Sequence, residues 1–179
     1  MKKTLIICFA LGSILLFSCK KDVEELPPAT QTGAHTFGTK VNGEMWMPAQ
    51  FGPFPGNILE GHWAAGNGLY INARNLASSP NETEFEIYLN GVTGPGVYPL
   101  NTTLIGPTTA ANYAYYVKRN ISPQNEWMTS AQYSGSVNLT RVDTVAGIVS
   151  GTFQFSMINL YNAPEPLTVT EGRFDIRTN

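Results

Sequence analysis

Apolar and polar residues alternate along most of the chain after residue 36. In "NETEFEIYLNG", Thr83, Phe85, Ile87 and Leu89 share one side, while Glu82, Glu84, Glu86 and Tyr88 share the other. That period of two predicts a half-buried strand with a solvated face. "SGSVNLTRVD" alternates likewise, Val137 and Leu139 inward, Asn138 and Thr140 outward. "GIVSGTFQFSMI" puts Phe153, Phe155 and Met157 on one face, and the two segments read as a long hairpin turning near Asp143 and Thr144. In "LTVTEGRFDIR" the inward phase runs through Leu167 and Val169, slips at Glu171-Gly172, and resumes at Phe174 and Ile176. One extra residue of this kind predicts a β-bulge.

Turn residues punctuate the pattern. Asn42-Gly43 between apolar neighbours is a strong short hairpin signal. "FGPFPGN" and "LNGVTGPGVYP" are too rich in Gly and Pro for helix interiors. "PTTAANYAYYVK" fits helical spacing at Ala110, Tyr113, Ala114 and Val117, but also alternates through Tyr113, Tyr115 and Val117. Its Asn and three tyrosines favour strand. The expected fold is all-β: a single antiparallel β-sandwich or flattened barrel of about eight to ten strands, with little or no helix.

The first residues follow a different pattern. Lys2 and Lys3 precede a 14-residue apolar run, Leu5 to Ser18, shorter than the roughly 20 residues of a membrane-spanning helix. Its proportions are those of a signal peptide. The only cysteines are Cys8 inside the run and Cys19 at its end. "LFSC" resembles the lipobox of bacterial lipoproteins, which implies cleavage between Ser18 and Cys19, a diacylglycerol thioether on Cys19 and acylation of the new amine. Phe17 departs from the smaller residue usual there. Two or more acyl chains anchor a protein stably, so a membrane partner through lipid is expected. "CKKDVEE" resembles the acidic export signal of Bacteroidota surface lipoproteins, implying the outer membrane and its outer face rather than the periplasmic one. Lys20 to His35 is polar with Pro27 and Pro28, and reads as a tether of roughly 20–25 Å root-mean-square span. The organisation expected is a signal peptide over 1–18, a lipidated tether over 19–35 and a β-domain over 36–179.

"TGAHTFGTKVNGEMWMP", "GSVNLTRVDTVAGIVSGTFQFSMIN" and "VTEGRFDI" together resemble an uncharacterised Bacteroidota lipoprotein domain family. Its members pair a TFG…VNG…W start with SGTF-x-F and GRFD near the end. The resemblance is vaguest over Gly52–Gly68 and Asn120–Tyr133. It implies the same β-fold and envelope address, and no activity.

Chemistry-bearing residues are sparse. From Gly33 onward seven basic residues face ten acids, a formal net of −3 with no basic stripe, which excludes nucleic acid as an expected partner. His35 and His62 are the only histidines, too few with Glu60 for a metal site. No nucleophile elbow, phosphate-binding loop or zinc-protease motif occurs. Glu82, Glu84 and Glu86 are spaced to allow a two-carboxylate mechanism, but such catalysis needs a cleft with one raised pKa, so they read as solvated surface. No enzyme activity, metal or cofactor is expected.

Aromatics are the better lead, because exposed rings bind sugars and proteins. Trp46 reads as core. Trp63 and Trp127, near loop-like stretches, and the cluster Tyr113, Tyr115, Tyr116 are the candidate binding residues; on a strand only one of Tyr115 and Tyr116 is buried. Asp143-Thr144-Val145 resembles the Bacteroidota O-glycosylation acceptor, making Thr144 a candidate modification site. The leading expectation is a lipid-anchored, non-enzymatic module binding a glycan or a protein. The alternatives are a lipocalin-like carrier of a small apolar ligand, with Phe85, Ile87, Phe153 and Phe155 lining a cavity, and a structural envelope component.

Overall fold

The computed structural model describes residues 25–50, 52, 56–77, 80–119, 125–161 and 165–179. Ser18 and Cys19 lie outside these. Eleven strands and no helix occur among the described residues. The first five are β1 (Thr36–Val41), β2 (Glu44–Trp46), β3 (Leu59–Ala64), β4 (Gly68–Asn75) and β5 (Glu82–Leu89). Then come β6 (Gly96–Pro99), β7 (Tyr113–Arg119), β8 (Glu126–Met128), β9 (Gly135–Asp143), β10 (Ile148–Asn159) and β11 (Leu167–Arg177). The excess over the expected eight to ten comes from β2, β6 and β8. Each has only three or four residues, too few to show an alternation.

The strands form one continuous antiparallel sheet curled into a half-barrel, in keeping with the expected all-β antiparallel fold. Its order is β2-β1-β11-β10-β8-β7-β5-β4-β3, with β9 and then β6 branching from β10. The branch arises because β10 is twelve residues long. One edge of β10 pairs with β9 over Ile148–Phe155 and then with β8 at Ile158 and Asn159. The open side narrows where Asn179 N–H donates to the Gly61 carbonyl at 3.1 Å and His35 Nε2 meets the Leu59 carbonyl at 3.1 Å. A parallel bridge from Ala49 to Asn75 ties the chain after β2 to β4.

Local signals turn out as the alternation predicts. Asn42 and Gly43 both have positive φ, 51° and 87°, the conformation of a type I′ hairpin turn. The bulge falls at Thr170–Gly172: Phe153 pairs with Gly172 but Phe155 with Val169, and Glu171 has φ 54°. Val137, Leu139, Phe153, Phe155, Met157, Phe174 and Ile176 are all buried.

The inner face is filled. Phe37, Trp46, Phe85, Tyr116, Phe153, Phe155 and Phe174 contact one another with ring centroids 4.6–6.2 Å apart. Each fully buried large side chain contributes roughly 1.5–3 kcal/mol. Such a core needs no disulfide.

The segment expected to be a free tether as far as residue 35 is in part bound to the body. Asp175, with no exposed surface, is the reason. Its carboxylate accepts hydrogen bonds from Thr30 Oγ1 (2.6 Å), the backbone N–H groups of Thr32 (2.9 Å), Gly33 (2.9 Å) and Ala34 (3.0 Å), and Ser150 Oγ (2.7 Å). Pro27 and Leu26 pack where a Cβ on residue 38 would sit, which only glycine permits. A composition rich in Pro and Thr hid this, because the binding partner lies more than 140 residues away.

Candidate functional site

The outer face of β3, β4, β5, β7 and β8 carries the densest hydrogen-bonded cluster of carboxylates, tyrosines and arginines among the described residues. Register decides its membership. Glu60 opposes Asn72, Asn72 opposes Glu86, Glu86 opposes Tyr115, and Tyr115 opposes Met128. A parallel row joins His62, Tyr70, Tyr88 and Tyr113, and another joins Arg74, Glu84, Val117 and Glu126. Side chains opposite one another on adjacent strands stand about 5 Å apart and interact directly.

The solvated face expected for β5 is therefore corrected. Glu84 is 9% exposed and Tyr88 1%. Glu84 receives Asn72 Nδ2 at 2.6 Å, Arg119 through Nε at 2.8 Å and again through Nη2, and Arg74 Nε at 3.6 Å. Burial pushes its carboxyl up, but the Asn72 and Arg119 hydrogen bonds and the two guanidinium charges outweigh that and hold it below the usual carboxylate range. A buried charge demands such pairing.

Two other carboxylates are held differently. Glu86 accepts from Tyr70 Oη at 2.7 Å and from Tyr113 Oη, one tyrosine on each oxygen. Glu126 accepts from Tyr115 Oη at 2.7 Å and from Tyr161 Oη at 3.2 Å. Neither has a cationic partner within ion-pair distance among the described residues. Tyr70, Tyr113 and Tyr115 are all raised well above the usual phenol range, first by burial and then by donation to these carboxylates. They stay neutral donors at any ordinary pH. His62 lies on Tyr70 with centroids 4.6 Å apart. Leu104 and Leu160 pack against the cluster of Tyr88, Tyr113 and Met128, giving the face apolar shoulders.

Of the aromatic candidates, Tyr113 and Tyr115 belong to this face. Tyr116 points the other way into the core at 3% exposure, so one of the adjacent pair Tyr115 and Tyr116 is deeply buried, as alternation requires. Trp127 is not a loop residue open to a ligand. It sits on β8, 9% exposed, against Tyr116 at 6.0 Å, with Nε1 reaching the Glu165 carbonyl at 3.4 Å. Trp63 lies on β3, half-buried and packed against the main core. β3 and β8 were hidden by the glycines, asparagines and prolines around them. Trp46 is core, with Nε1 donating to Thr83 Oγ1 at 2.7 Å. Thr144 occupies the exposed β9–β10 turn beside Val145.

Tyr70, Asn72, Glu86, Arg119 and Glu126 were not singled out from sequence as binding residues. The signal existed only as period-two polar positions on four separate segments, and pairing was needed to merge them. No group of three or more His, Cys, Asp or Glu side chains is placed to hold a metal ion among the described residues. Neither family models, nor curated proteins, nor solved structures match this chain.

Proposed function

We propose that this protein is a lipid-anchored lipoprotein of the outer membrane, displayed on the cell surface, and that it acts as a non-enzymatic binding module for a protein or a glycan. The binding surface is the outer face of β3, β4, β5, β7 and β8. One observation carries the reading: Glu86 and Glu126 are each fixed by two tyrosine hydroxyls and have no lysine or arginine nitrogen within ion-pair distance among the described residues. Glu84, by contrast, is spent on Arg74 and Arg119. Tyrosine rings with a small number of oriented polar groups beside them suit a recognition surface. The ring-on-ring packing of the inner face favours such a surface site over an enclosed apolar ligand.

The address and the site are tested separately. For the address, native protein should enter the detergent phase on phase partitioning, and Cys19→Ser should stay aqueous; a wild-type protein wholly in the aqueous phase removes the anchor. For the site, Tyr115→Ala and Tyr161→Ala, both checked by circular dichroism, should lose at least tenfold in glycan-array or cell-extract capture signal. Unchanged capture by both folded variants would place the binding surface elsewhere.

A further inference from the structure

The chemistry of this face specifies the charge of what it binds. On this face stand five carboxylates, Glu60, Glu82, Glu84, Glu86 and Glu126, against two guanidiniums, Arg74 and Arg119, a formal −3; Lys118 of β7 lies on the opposite face, over the Trp127 ring. The face's guanidinium and phenol donors are already committed. Arg119 is spent on Glu84, and Arg74 is shared among Glu84, Glu60 at 3.3 Å and the Asn57 carbonyl at 3.2 Å. The four tyrosine hydroxyls are spent on Glu86 and Glu126. An ionised carboxylate offers about four acceptor positions, so each of these two retains about two.

A second observation points the same way independently of the acids. Asn72 is 1% exposed, its amide nitrogen is used by Glu84, and its Oδ1 has no hydrogen-bond partner among the described residues. A buried acceptor without a donor costs about 1–3 kcal/mol. It lies in the cross-strand row beside Glu86. The row is short of donors, and the face is short of positive charge.

We propose, resting on the binding-module reading above, that Glu86 and Glu126 each receive a lysine or arginine side chain of a partner polypeptide. The tyrosine rings supply the flanks of both subsites, since ammonium and guanidinium groups are held well against phenol faces. Spacing favours a polypeptide over a small cation. Two strand intervals and one row separate Glu86 from Glu126, about 12 Å. Basic residues four apart on one side of an extended segment are about 13 Å apart. The face extends about 19 Å across five strands, which suits a segment laid over it.

The test uses the chain from residue 25 onward at physiological salt, where non-specific attraction is screened. Four probes are titrated by calorimetry: an end-capped pentapeptide with lysines at both ends and serines between, the same peptide with both lysines acetylated, a glucosamine tetramer and an N-acetylglucosamine tetramer. The lysine peptide should bind at least tenfold tighter than its acetylated form. Glu86→Gln and Glu126→Gln should each weaken it at least fivefold, and Glu126→Gln, on the short strand β8, keeps the test open if Glu86→Gln fails to fold. Equal binding of acetylated and free peptide, no response to a folded Glu126→Gln, preference for the amino sugar, or no binding of the lysine peptide overturns the inference. If the neutral tetramer binds and Tyr115→Ala removes it, the cationic partner is wrong but the binding surface stands. If Tyr115→Ala and Tyr161→Ala both leave capture unchanged, the surface itself falls.

Discussion

Asp175 shows how one side chain recruits a distant piece of chain. Six hydrogen bonds from five residues, Thr30, Thr32 (through N–H and Oγ1), Gly33, Ala34 and Ser150, converge on a carboxylate with no exposed surface. Burial alone would raise its pKa, but the bonds from Thr30, Ala34, Ser150 and Gly33 outweigh it and hold the carboxyl well below the usual range. A depressed carboxyl stabilises the fold fully above its unfolded value near 3.9, and that stability is lost as pH falls towards the folded value. Asp175→Asn should therefore cost about 2–4 kcal/mol at pH 7, because an amide nitrogen would face N–H and O–H donors. Thermal melts from pH 7 down to about 2.5 should show the variant losing less on acidification than the wild type. Equal losses would mean that Asp175 does not carry the acid sensitivity.

Strand pairing explains both the fold's continuity and its weak points. β9 approaches β10 so closely at Gly135 that an added Cβ would lie 2.1 Å from the Gln154 carbonyl oxygen and 2.5 Å from Phe155 Cα. Both obstacles are backbone, so no side-chain rotation relieves them. Gly135→Ala should destabilise by about 2–3 kcal/mol, and hydrogen exchange should speed up first near the start of β9. Exchange unchanged there would show that the two strands separate without cost. The long β9–β10 hairpin, the Asn42-Gly43 turn and the Glu171 bulge were legible in the sequence because each depends on a few adjacent residues. β6 and β8 were not. Their hydrogen bonds are supplied by β9, β7 and β10, and nothing within three or four residues announces that.

Taken whole, the molecule is a body whose beginning is bolted to its end. Residues 30–34 bond to Asp175 in β11, Arg141 Nη1 donates to the Gln31 carbonyl, and Ile148 packs where a side chain on residue 33 would point. The described body thus begins near residue 26, about ten residues before β1. A chain beginning at residue 25 should melt at the temperature of the longer chain, whereas one beginning at residue 36 should melt about 6–12 °C lower, as loss of about 3 kcal/mol implies for this size. Equal melting temperatures would show that the docked segment adds nothing.

Period-two alternation, turn residues and the bulge were enough to specify an all-β body and which side chains of β5, β9, β10 and β11 face its core, because those choices depend on sequence-local side-chain direction. The same alternation placed Glu84 and Glu86 on the far side of β5 but could not say what surrounds them. That required β3, β4, β7 and β8 to align in register, bringing Tyr70, Asn72, Tyr113, Tyr115, Arg119 and Glu126 from separate segments onto one face. Likewise Trp127 and the residues before His35 carry no local mark of burial. Long-range pairing closes loops whose partners no short window of sequence contains, and it is there that a polar surface became a candidate site.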